Sequence, residues 1–277
     1  MHLLLEIFPR NRSLWIELSC TRRIRMNHNI TQDRKAEDCP QDTGNVTPAE
    51  FDEFAVSYDS ELNKGLRVSG ESKEYFAEGR MKHLKARLTE LGSSPLRVLD
   101  FGCGTGSATP YFFEILEAKH LLGVDPSESS LTEARRNWSA FDAVFATEAS
   151  AWKGSCDLAF CNGVFHHIPV KDRPSAFAIV KETLKPGELF AFWENNPWNP
   201  LTRLAMRLVP FDRDAIPIFP HNARRALRTN GFDVILTDYA FFFPRFLSFF
   251  RFLEPWLKWL PLGGQYLVLC RKKEVTG

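Results

Sequence analysis

Three glycines and two acids hold the most informative spacing in this chain. Asp100-Phe101-Gly102-Cys103-Gly104-Thr105-Gly106 follows a short apolar run and leads into a helical pattern. Glycines at such a junction let the backbone turn tightly and let a ligand approach the main chain. The helix that follows offers free N–H groups at its start. The spacing is GxGxG, whereas a nicotinamide dinucleotide site expects GxGxxG. Asp125 closes the next apolar run, where a carboxylate can accept hydrogen bonds from a ribose diol. Together these residues predict a site for a nucleoside-bearing ligand. Two imidazoles, His166 and His167, follow a later strand pattern, and Glu194 ends the one after it. Each is a candidate base, because imidazole titrates near neutrality and a sheltered carboxylate can take a proton. Asn162 lies just before the histidines, in reach of a cofactor. No metal is expected: none of the six cysteines forms a CxxC pair, and Asp52, Glu53, Asp59 and Glu61 are too scattered for magnesium.

The elements that must carry these residues are readable from periodicity. Ala77, Met81, Leu84, Leu88 and Leu91 mark one face of a helix over residues 71–91, with Gly92 as its cap. Strands are predicted at 96–101, 121–125, 141–146, 157–161 and 188–193, separated by helices at 108–118, 127–138 and 172–184. Such alternation means βαβ units and a parallel sheet. Beyond these come a helix at 221–230, a strand within 232–243, a helical stretch at 245–260 containing Pro255, and a strand at 265–270.

On these motifs the chain resembles the class I S-adenosylmethionine (SAM) dependent methyltransferases, in their small-molecule, methyltransferase type 11-like group. DFGCGTG at 100–106 matches that family's first motif, and Asp125 in GVDPS its second. Glu148 in ATEAS matches the acid near the adenine, and LAFCNGVFHHIP at 158–169 the loop on the catalytic side. The resemblance implies a Rossmann-like α/β fold with seven strands, mostly parallel with an antiparallel last strand. It implies SAM as cofactor, held by Asp100, Gly102, Cys103, Gly104, Gly106, Asp125, Glu148 and Asn162. FDEFAVSYD at 51–59 resembles the entry segment of small-molecule members, which would lay Tyr58 over the cofactor. His166, His167 and Glu194 fall where the family's acceptor chemistry occurs. The stretches 194–203, 210–215 and 261–266 are similar to a mostly bacterial group that reads Glu-His-Asn-Pro where this chain has Glu194-Asn195-Asn196-Pro197. Asn195 therefore lacks an ionisable ring present in that group.

Composition narrows the partners. The 277 residues carry 35 Lys and Arg against 34 Asp and Glu, too even a balance for a chain that tracks nucleic-acid backbone. Asn162-Gly163-Val164-Phe165 also departs from the Asn-Pro-Pro-Tyr type of motif in base methyltransferases. Scattered cysteines suggest a reducing, cytoplasmic compartment. Arg10, Arg12, Arg22, Arg23 and Arg25 give the start a basic character that Glu6 and Glu17 dilute, and Met26 is an alternative start. The expectation is a poorly structured extension over 1–48 and a methyltransferase domain over 49–277.

Eight of the 24 phenylalanines lie between Phe232 and Phe252, with Arg245, Arg251 and Lys258 interleaved nearby. Three readings compete: a helix packed on the sheet, a lid over an apolar acceptor, and an interfacial membrane helix. Apolar residues cover most directions around the axis, so burial within the protein is expected and membrane contact is not favoured. The activity expected is methyl transfer to a small apolar or aromatic metabolite. The alternatives are a lipid or quinone methyltransferase at a membrane surface, and a SAM-binding subunit without chemistry.

Overall fold

The computed structural model describes residues 65–209 and 215–274. The expected extension and Tyr58 lie outside them. The elements are α1 (Lys73–Glu90), β1 (Arg97–Phe101), α2 (Thr109–Glu114), β2 (His120–Val124), α3 (Glu128–Asn137), β3 (Ala143–Ala146), β4 (Cys156–Asn162), α4 (Arg173–Thr183), β5 (Leu184–Asn195), α5 (Pro200–Leu208), α6 (Pro220–Thr229), β6 (Phe232–Ala240), α7 (Glu254–Leu257) and β7 (Gln265–Lys272).

The strands form one sheet in the order β3-β2-β1-β4-β5-β7-β6. β1 to β5 pair in parallel. β7 runs antiparallel to both neighbours, β5 and β6. The expected sheet with a reversed last strand is therefore present. Period-two alternation sends successive side chains to opposite faces. Leu99, Leu122 and Ala159 pack in one core with α4 and α6 through Phe177, Val180, Ala223 and Leu227. Their neighbours Val98, Leu121 and Leu158 pack on the other face with Met81, Leu84 and Leu88 of α1 and Phe112 of α2. Covering both faces explains why the central strands read as nearly continuous apolar runs. A small third core of Cys103, Leu131, Ala134 and Phe145 seats α3.

Side chains fix the helix ends. Ser72 caps α1 by accepting the Tyr75 N–H, and Ser127 caps α3 by accepting the Ser130 N–H. α1 is further clamped to β6: both oxygens of Asp238 accept from the Arg87 guanidinium, at 2.6 and 3.0 Å, and His83 lies 2.7 Å from Oδ2.

Four expectations need correction. β5 begins at Leu184 and not at 188, because Cys156 pairs with Leu184 before the register shifts to Leu158 with Leu189. The helix expected over 108–118 is only Thr109–Glu114. α5 was not expected at all, though its signals are local: Asn199 accepts from the Leu201 and Thr202 N–H groups, and Pro200 occupies the first turn. The stretch 245–260 is a 3-10 helix, Arg245–Leu253, broken at Leu247 and followed by the short α7. Its aromatic side chains are not packed inside the protein: Phe246, Phe249, Phe252, Trp256 and Trp259 are all exposed. The expected burial rested on apolar residues all round a helix axis, whereas the inward side of this broken segment is taken by Glu254 and Arg251.

Candidate cofactor and acceptor site

The glycine loop joins β1 to α2 and lies across the end of β2. The N–H groups of Gly102 and Cys103 both donate to the Val124 carbonyl, at 2.7 and 3.1 Å. All three loop glycines have positive φ, but they are required for different reasons. A Cβ on Gly102 would lie 2.2 Å from Val164, and one on Gly106 would lie 2.8 Å from Trp138. Trp138 is itself fixed by donating from its indole nitrogen to the Thr105 carbonyl at 2.9 Å. A Cβ on Gly104 would meet nothing within 4 Å. Gly104 is thus the glycine that faces open volume, as a backbone cradle for a ligand requires.

Asp125 follows β2 and grips this loop. Its Oδ2 accepts the Gly104 N–H at 2.8 Å, and its Oδ1 accepts the Ser127 N–H at 2.9 Å. Each carboxylate oxygen has a second lone pair, so the group can hold the loop and still accept from hydroxyls. Asp100, the acid before the first glycine, is buried. Burial first, and then the charge of Asp125, push its carboxyl up to about 7, against the pull of Arg80. A cationic ligand brought to this end would favour the ionised form. These residues fit a ribose-bearing, cationic cofactor.

The other expected contacts are distributed around this loop to different degrees. Cys103 turns its thiol inward onto Leu131, Ala134 and Phe145, and burial holds that thiol well above its usual range. What it offers a ligand is backbone. Glu148 is exposed beyond β3. Asn162 ends β4, with Gly163 after it at φ +66 and donating to the Trp193 carbonyl at 3.0 Å.

The acceptor-side candidates divide. Parallel pairing of β4 with β5 runs to Asn162 opposite Trp193, which brings the loop after β4 against the end of β5. Glu194 Oε1 there accepts the Phe165 N–H at 3.0 Å, and Oε2 lies 2.6 Å from His166 Nδ1. Both side chains are buried, at 2% and 1% exposure. His166 and Glu194 are therefore one unit, in which the carboxylate fixes the ring and its tautomer. His167 is half-buried, with its ring centroid 4.1 Å from that of His166. Asn195 accepts from the Gln265 amide at 3.3 Å, and buried Asn196 donates to the Pro261 and Gly263 carbonyls. The Asn-Asn pair ties the end of β5 to the start of β7.

One residue of this end escaped sequence reasoning. Arg80 is buried on α1, donates to the Gln265 side chain at 3.0 Å and acts on Asp100 electrostatically. The signal was available: Arg80 falls three residues after Ala77 and four before Leu84, on the face directed at the core. A cleft of about 460 Å³ near Leu96, Asp157 and Arg271 lies at the opposite end of the strands, away from this chemistry.

Residues 98–187 match the model of a methyltransferase domain family. No curated protein matches the chain. Among solved structures, a SAM-dependent methyltransferase from Thermotoga maritima is 19% identical, covering 80% of this chain and 98% of its own, with a TM-score of 0.54. The cyclase SpnF is 17% identical, with 80% and 97% covered and a TM-score of 0.54. A SAM-dependent methyltransferase from Archaeoglobus fulgidus is 17% identical, with 69% and 94% covered and a TM-score of 0.50. At these identities the likeness is one of fold. The sheet order and the glycine loop under Asp125 agree with that fold and with the methyltransferase domain matched over residues 98–187.

Proposed function

We propose that the enzyme methylates a small apolar or aromatic acceptor. The observation that carries this reading is the position of the aromatic connection between β6 and β7. It emerges at the end of the sheet where β5 ends and β7 begins, the end that also carries the glycine loop and the His166–Glu194 pair. An apolar acceptor is favoured there because desolvation of apolar area drives its binding.

The bound cofactor supplies an activated methyl group on a sulfonium. The chain must then align the acceptor's lone pair and exclude water, and positioning of this kind can supply about 7–11 kcal/mol of barrier lowering. In this reading the open backbone at Gly104 and the carboxylate of Asp125 hold the ribose end. Asp100 answers the positive charge, and Glu148 and Asn162 border the adenine and the transfer path. Where the acceptor carries a proton, His166 takes it and Glu194 holds the ring in place; His167 lines the same approach.

The test is an untargeted product search with methyl-labelled SAM and cell extract, followed by extraction into organic solvent. Label recovered in the organic phase, lost in Glu194→Gln and His166→Gln variants that still bind SAM, supports the reading. Label confined to water-soluble or macromolecular products refutes it.

A further inference from the structure

The connection between β6 and β7 is built inside out. Its polar groups are turned toward the protein. Glu254 accepts the N–H groups of Phe242 and Phe243 at 3.1 and 3.3 Å. Arg251 donates to the Phe243 carbonyl and to Glu71, the latter at 2.7 Å. The Tyr239 N–H donates to the Lys258 carbonyl, and the Arg245 N–H to Ser69. The large rings face the other way: Phe246, Phe249, Phe252, Trp256 and Trp259 are 64–73% exposed.

A second apolar face adjoins it. Leu201, Leu204 and Leu208 of α5 are exposed and lie on one side of that helix at steps of three and four. The first turn of α5 is bonded to the end of the connection, Asn199 to the Leu262 carbonyl and Thr202 to the Gly264 carbonyl. At the other end of α5, Ala205 and Val209 pack on Gly65, and the chain running from there reaches Arg245 through Ser69 and Gly70. The two faces are thus joined at both ends. Exposed apolar area of this kind marks an interaction surface.

Charge identifies the occupant. Over residues 199–209 and 241–264 the cations are Arg203, Arg207, Arg245, Lys258 and Arg251, the last paired inward with Glu71, and the one acid is Glu254, which is directed onto backbone amides. Trp and Phe among Arg and Lys, with acids withdrawn, complement the interface of an anionic bilayer. We propose that this surface docks the enzyme on an anionic lipid membrane. Docking there sets the bilayer toward the end of the sheet that bears the glycine loop and His166. Resting on the methyltransferase reading above, it follows that the acceptor is an amphiphile drawn from the lipid phase. This reverses the sequence-based preference against membrane contact, whose premise was buried rings. No helix among the described residues is long and apolar enough to cross a membrane, so the mode is surface docking.

The test is co-sedimentation of the full chain with vesicles of phosphatidylcholine alone and of phosphatidylcholine with phosphatidylglycerol. SAM affinity is measured by calorimetry on the same samples. Binding to the anionic vesicles that weakens in high salt is expected. The pair Phe249→Ser and Trp259→Ser should lower it at least about tenfold, since interfacial burial of each ring is lost. Arg245→Ala and Lys258→Ala should each lower it about fivefold. SAM affinity should stay constant throughout, which separates failure of docking from failure of the methyltransferase reading. Protein left in the supernatant with both vesicle types overturns the proposal, as does vesicle binding that these variants do not change. A particle mass that doubles in wild type but not in Phe249→Ser, without vesicle binding, overturns it in favour of pairing with a second copy.

Discussion

Replacing Asp125 by Ala tests the cofactor site most directly, because its carboxylate does two jobs that separate in measurement. Within the protein it holds the Gly104 and Ser127 N–H groups at 2.8 and 2.9 Å. Both bonds are part-buried, so water can replace some of what is lost, and we expect a stability loss of about 1–3 kcal/mol. In the proposed site the same carboxylate also accepts from the ribose hydroxyls. Losing a hydrogen bond to a charged group costs about 1.5–3 kcal/mol, so SAM affinity should fall about 10- to 150-fold. Asp125→Asn should fall between, since an amide presents an acceptor to one backbone N–H and a clashing donor to the other. The assay is titration calorimetry with SAM and S-adenosylhomocysteine, run above pH 8 so that Asp100, held up to about 7, is ionised. Both ligands carry the ribose, so both should lose affinity equally. Unchanged affinity in a folded variant would refute the assignment. A loss confined to SAM would show that Asp125 acts through its field on the sulfonium and not on the ribose.

The loop glycines should behave differently from one another. Gly104→Ala enters open space at φ +53, so it should cost about 1–2 kcal/mol of strain and weaken SAM binding. Gly102→Ala meets Val164 at 2.2 Å and should lower the melting temperature more than Gly104→Ala does. Asp100 keeps a proton in the native state that the unfolded chain has lost, because burial and Asp125 raise it to about 7. Wild-type stability without ligand should therefore decline as pH rises from about 4 toward that value, and Asp100→Asn should abolish the slope in urea unfolding. Burial pushes Asp238 up, but hydrogen bonds from His83 and Arg87 outweigh it and hold the carboxyl below its ordinary value. Its contribution is present at neutral pH and lost as pH falls through the acid range. Asp238→Ala should cost about 3 kcal/mol at pH 7, measured by urea unfolding.

What was legible in the sequence was what depends on neighbours in sequence. The acid, three glycines and following helix are a local device, and their spacing alone located the tight turn between β1 and α2. The individual duties of those glycines depend on Val164 and Trp138, which arrive from distant elements. His166, His167 and Glu194 were each visible as candidates. Their division into a bonded pair and a neighbouring tilted ring follows from the register of β4 on β5, which periodicity does not encode. Arg80 was hidden in a helix scanned for apolar spacing. The Phe-rich stretch was visible as composition, but the break at Leu247 and the outward direction of its rings were not.

The topology gives that last stretch its weight. β6 and β7 are antiparallel neighbours, and such strands need only a tight hairpin of about 2–5 residues. A hairpin is nearly closed here: the Gly264 N–H donates to the Phe241 carbonyl at 3.0 Å, and Gly263 packs against the Ala240 backbone so closely that a Cβ would lie 2.5 Å from its oxygen. Phe241 takes φ 61 to make the turn, and its ring is held against Gly79 of α1. Residues 242–263 are therefore an excursion that the sheet does not require, and connections longer than about 12–15 residues are mostly functional. Its exposed rings add little to the core while adding an aggregation risk. A chain that keeps such a segment, pins its base rigidly and turns its acid inward presents a surface suited to contact, at the end of the sheet that also bears the glycine loop and the His166–Glu194 pair.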